Sequence, residues 1–124
     1  MTTELDFFIN SLHDEGIDTI KVLNDLNDFF DGDEIPIVFL LGSLGGEIYN
    51  SKLSFESLSN IFLLIEEAIN SKNKAFSEAV ATGLLEAYVN TMWNNEQNIS
   101  SLELMGEETR KYIKAIWNFS LKEF

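Results

Sequence analysis

The chain has 124 residues, 45% of them hydrophobic and fifteen aromatic, with a formal net charge of −13; it is long enough to bury a core and too apolar to be disordered. That charge repels nucleic-acid phosphate and anionic lipid, so neither is expected as a direct partner, and a basic protein is the natural complement. Cysteine is absent, which excludes disulfides and thiolate metal sites. With an acidic N-terminus unlike a signal peptide and no apolar run near the ~20 residues of a membrane span, a cytoplasmic location is expected.

In chain order, Leu5, Phe8, Ile9 and Leu12 share one helical face and predict a helix over about residues 4–13, ended by Gly16. Asp18 is the N-cap candidate of a second helix, to about Phe30, with Val22, Leu23, Leu26, Phe29 and Phe30 as its apolar stripe. Asp31-Gly-Asp-Glu-Ile-Pro36 reads as a turn that puts the chain's only proline at the first position of the next helix. Residues 37–50 are ambiguous: Ile37 to Leu41 suits a buried strand, whereas Val38, Leu41, Leu44 and Ile48 suit one side of a helix, which is the preferred reading. Gly42, Gly45 and Gly46 would each weaken that helix by about 1 kcal/mol relative to alanine, so close packing against a neighbour must compensate.

Ser54 then caps a helix to about Asn70, with Phe55, Leu58, Ile61, Phe62, Ile65 and Ile69 turned inward. A longer helix over about 74–93 carries Phe76, Val80, Leu84, Tyr88 and Met92 at intervals of four. A polar loop over 94–100 and a short turn at 102–105 lead to a last helix, which opens with Glu107 and Glu108 where the helix dipole favours acids. Its buried side comprises Tyr112, Ile113, Ile116, Trp117 and Phe119. The expected fold is all-α: a single compact domain spanning 1–124, with about six helices in a bundle or a short stack of helical hairpins.

Little in the chain suits catalysis. The one histidine, His13, falls at a helix C-terminus, where the dipole alone explains it. Asp31-Gly-Asp-Glu opens like a calcium loop but lacks the later glycine and glutamate. Leu41-Gly-Ser-Leu-Gly-Gly-Glu has neither dinucleotide nor P-loop spacing, and its glycines read as helix contacts. Glu66, Glu67, Glu78 and Glu86 have no histidine at di-metal spacing and read as surface charge. The expectation is therefore no catalytic residue, no metal and no cofactor.

Charge distribution says more. Residues 1–47 hold eleven acids against the single base Lys21, whereas residues 48–124 hold ten acids and seven bases. The excess is concentrated in the first two helices and the following turn. Self-repulsion for solubility is one account of it; steering of a basic partner is the other, with Asp25, Asp28, Asp31, Asp33 and Glu34 as its candidate binding residues.

In the C-terminal half, the run Phe76-Ser-Glu-Ala-Val-Ala-Thr-Gly-Leu-Leu-Glu-Ala87, then Leu102-Glu-Leu-Met-Gly-Glu-Glu-Thr-Arg-Lys-Tyr112 and Trp117-Asn-Phe119, resembles a family of small uncharacterised bacterial helical proteins. Members of that kind are candidate immunity proteins of secreted polymorphic or contact-dependent toxins. The resemblance spans roughly a third of the chain and implies a shared helix–loop–helix scaffold with Leu104-Met105-Gly106 as the connection; it carries over no binding residue. It implies a non-catalytic protein that neutralises a cognate basic toxin by direct binding. The alternative is a regulatory or scaffold protein, including a nucleic-acid mimic, that binds another cellular partner; an enzyme ranks third.

Overall fold

Side-chain oxygens start three of the helices. Asp18 accepts the Lys21 amide at 3.0 Å ahead of α2 (Thr19–Phe29), and Ser54 accepts the Ser57 amide at 3.2 Å ahead of α4 (Phe55–Ile69). Asn73 accepts the Phe76 amide at 3.2 Å ahead of α5, a continuous helix over 74–96 that is α-helical in Lys74–Ala79 and Glu86–Glu96 and π-helical in Val80–Leu85. The others are α1 (Thr3–Asp14), α3 (Ile37–Asn50) and α6 (Glu107–Leu121), the last preceded by a 3-10 turn at Leu102–Leu104. The computed structural model describes the backbone of residues 3–96 and 101–121 and the side chains of 4–96 and 101–116. Within them the fold is all-α, a single compact domain without a strand, and Ile37 to Leu41 is helical.

Gly16 ends α1 as its position predicts. Its φ of +104° lets the Gly16 amide donate to the His13 carbonyl at 3.0 Å and the Ile17 amide to the Leu12 carbonyl at 3.1 Å, while Ile17 itself is buried. Pro36 stands one residue earlier than its sequence context suggests: it is the extended N-cap of α3, with φ −60° and ψ 137°, and its carbonyl accepts the Leu40 amide at 3.1 Å. The polar loop expected over 94–100 begins later, because α5 runs to Glu96; residues 97–100 lie outside the described set.

The core gathers Leu12, Ile17, Leu41, Leu44, Ile48, Ile61, Phe62, Ile65, Leu84 and Leu85, all essentially inaccessible. Each such side chain contributes on the order of 1.5–3 kcal/mol on burial. Edge-to-face ring contacts tie the helices: Phe8 of α1 to Phe76 of α5 at 5.7 Å, Phe62 of α4 to Tyr88 of α5 at 5.3 Å, and Tyr49 of α3 to Tyr88 at 6.0 Å. Three members of the predicted stripes are not core: Val38, in the first turn of α3, is 47% exposed, and two others lie at helix ends. Phe29 is 78% and Phe55 73% exposed, because each sits at the very end or start of its helix, where no neighbouring helix covers it. The predicted buried roles of Trp117 and Phe119 concern side chains outside the described residues.

Of the three glycines of α3, Gly45 serves the close packing that the sequence requires, whereas Gly42 makes only an ordinary contact and Gly46 has nothing within 4 Å of an added Cβ. α3 lies along α5 so closely that a Cβ on Gly45 would overlap the backbone carbonyl of Leu84, and one on Gly83 would come within 2.9 Å of the Val38 carbonyl. The π-helical turn is therefore the part of α5 pressed against α3. No helix among the described residues is long and apolar enough to cross a membrane.

Candidate functional site

The five acids picked out by charge occupy one stretch. Asp25 and Asp28 stand on the second half of α2, and Asp31, Asp33 and Glu34 on the α2–α3 turn; all are exposed. Among the described residues, none of the five takes part in an ion pair. Lys21, the only base in the acidic third of the chain, lies 3.8 Å from Glu47 on α3 instead.

The turn that carries these acids is held by its own backbone. The Phe30 amide donates to the Leu26 carbonyl at 2.9 Å, the Gly32 amide to the Asn27 carbonyl at 3.3 Å, and the Asp33 amide to the Phe30 carbonyl at 2.9 Å. Asp31 and Gly32 adopt φ values of +51° and +84°, a conformation that aspartate tolerates and glycine favours.

That turn also builds an aromatic cluster that the sequence stripe did not reveal. Phe29 meets Phe30 edge-on at 5.1 Å, and Phe30 meets Phe39 of α3 at 5.7 Å. Phe30 is half-buried, whereas Phe39 is 58% exposed and Val38 beside it is exposed too. Scattered single apolar residues are ordinary on a surface, but rings in mutual contact form a contiguous patch. From Val38 and Phe39 the surface continues into an open groove of about 440 Å³ between α3 and α5, also lined by Gly42, Gly83 and Glu86.

Of the other polar candidates in the sequence, His13 has a structural partner. His13, exposed at the end of α1, lies 3.3 Å through Nδ1 from the hydroxyl of Thr19, bridging α1 and α2. No group of three His, Cys, Asp or Glu side chains among the described residues has metal-holding geometry. The Asp31–Glu34 acids sit in the turn just described, and the glycines of 42–46 lie within α3.

Glu66 and Glu86 depart from the surface-charge reading. Glu66 accepts the Glu108 amide at 2.9 Å, the Thr109 amide at 2.9 Å and the Thr109 hydroxyl at 2.7 Å, so that α4 caps the start of α6. Burial pushes its pKa up, but the Thr109 hydroxyl, the two amides and Asn70 together hold it below the ordinary carboxylate value. Glu86 accepts the Tyr112 hydroxyl at 2.7 Å, joining α5 to α6. Glu67 and Glu78 are exposed, as expected of surface charge.

No family model, curated protein or solved structure matches the chain.

Proposed function

We propose that this chain is a non-catalytic binding protein that engages a basic protein partner through the α2–α3 surface, and that the partner is a cognate toxin neutralised by direct occlusion. The observation that carries the reading is the exposed Phe29–Phe30–Phe39 cluster set among five exposed carboxylates. Aromatic anchors with a charged rim are the arrangement that protein interfaces use: the rings supply most of the binding energy on desolvation, and the charges raise the association rate and reject wrong partners. The same carboxylates, on a chain of net charge −13, keep the rings from pairing with another copy of themselves.

A tagged pull-down from the source cells at low and moderate salt, with bound proteins identified by mass spectrometry, tests the reading when run beside the triple variant Asp28→Lys, Asp33→Lys, Glu34→Lys. Near-stoichiometric recovery of a basic toxin fragment by the native chain and its loss from the variant is the expected result. Equal recovery by both chains removes the α2–α3 surface. Recovery of a regulator or polymerase in place of a toxin moves the reading to a scaffold or nucleic-acid mimic.

A further inference from the structure

A second surface, sharing no residue with the α2–α3 patch, has the form of a helix-binding groove. α1 and α4 run antiparallel and are tied at both ends: Ser71 donates its hydroxyl to Glu4 at one end, and Asn60 donates to Glu15 at 3.3 Å at the other. Between those ties the helices leave two adjoining depressions, of about 400 Å³ and about 300 Å³, which meet at Leu64 and Glu67. Phe8, Ala68 and Phe76 line the first at core depth, and Phe7 and Leu63 stand at the surface, 64% and 62% exposed. The ties lie eleven residues apart, from Asn60 within α4 to Ser71 just past its end, a span of about 16 Å at helical rise, or three helical turns.

Charge selects the occupant. Glu4, Asp14, Glu15 and Glu67 line the two depressions against the single base Lys72. An apolar trough with an acidic rim complements a helix that carries an apolar stripe between basic flanks, as in other helix-in-groove pairings. A second copy of this chain would bring like charge to the same rim. We propose that the α1–α4 groove is a docking site for a basic amphipathic helix of about three turns, contributed by a partner protein. The inference does not depend on the α2–α3 reading.

The probe is a synthetic peptide of about three helical turns, with leucines on one face and lysines on the other, set against a scrambled peptide of the same composition. Fluorescence anisotropy and 15N NMR on the full chain read its binding. The expected result is saturable one-to-one binding of the amphipathic peptide, with amide shifts confined to 4–15 and 60–76. Phe7→Glu and Leu63→Glu, both at exposed positions, should each weaken it tenfold or more, while Phe55→Glu, exposed but outside both surfaces, leaves it unchanged. The shift map of the native chain keeps the test decisive even if a variant folds poorly. Any of four results overturns the proposal: equal binding of the scrambled peptide, shifts centred elsewhere, no saturable binding, or a native dimer that Leu63→Glu dissociates.

Discussion

Glu66 Oε1 accepts both the amide of Thr109, at 2.9 Å, and its hydroxyl, at 2.7 Å, from forty-three residues away in sequence. This carboxylate is the cap that α6 lacks locally, and it meets amides that the helix itself cannot pair. Thr109 is fully buried, so Glu66→Gln should cost on the order of 2 kcal/mol in urea unfolding, since it removes charge-assisted bonds and turns an amide donor toward other donors. The pH dependence follows from the sign of the shift. A folded-state pKa below the ordinary 4.5 gives stability that is present above that value and lost as pH falls through the folded one. The gap between native chain and variant should therefore be full at neutral pH and close in acid. A constant gap from pH 7 to pH 3 would show that the charge of Glu66 is irrelevant.

Gly45 and Gly46 should respond oppositely to alanine. Both lie within α3, where Gly→Ala ordinarily gains about 1 kcal/mol. At Gly46 nothing lies within 4 Å of the added methyl, so the gain should appear in full as a higher melting temperature. At Gly45 the methyl overlaps the Leu84 carbonyl, which is backbone and cannot rotate away. The forced separation of α3 and α5 should outweigh propensity and leave a net loss of about 1–3 kcal/mol. Calorimetric melting of the two single variants decides it.

How far the sequence could be read depends on the range of the signal. The starts of α2 and α4 were legible because Asp18 and Ser54 act within three residues. The five acids were legible as a count of charge. Three glycines in an apolar helix announced a close contact but could not name Leu84 as the partner. Glu66 and Glu86 looked like surface charge because Thr109 and Tyr112, which hold them, come from a different helix. Phe29 fitted the stripe of α2, yet periodicity carries no information on where a neighbour ends. The ring cluster exists only because the turn through Asp31 and Gly32 brings Phe39 back to Phe30, which is a property of two positive φ angles.

All three tyrosines of the chain should ionise late. The Glu96 carboxylate that accepts the Tyr49 hydroxyl pushes that phenol up to about 12, assisted by burial and by the carboxylate charge. Burial pushes Tyr112 up further, with Glu86 adding to it, and burial raises Tyr88 despite its bond to Ser101. Phenols with raised folded pKa values lend stability that is fully present below the ordinary 10.0 and is lost as pH rises through the folded values. Tyrosinate absorbance in the native chain should thus stay low near pH 10.5 and rise together with loss of helical circular dichroism, whereas in urea it should titrate near 10. A full native titration at 10, with the helices intact, would contradict these contacts.

Substitutions in the α2–α3 cluster can separate the proposed binding from folding. Phe29 and Phe39 are mostly exposed, so Phe29→Ala and Phe39→Ala should each change unfolding free energy by less than ~1 kcal/mol. Phe30, half-buried between them, should cost more. If the cluster is the anchor of an interface, the two exposed positions should each weaken the basic partner by about 30-fold, corresponding to roughly 2 kcal/mol. Reversing Asp28, Asp33 and Glu34 should act differently, lowering the association rate and flattening its dependence on salt, because exposed charges work at the distance that ions screen. Stopped-flow association at two ionic strengths distinguishes the effects. Ring substitutions that slow association instead of speeding dissociation would make the phenylalanines part of the approach and not of the bound contact.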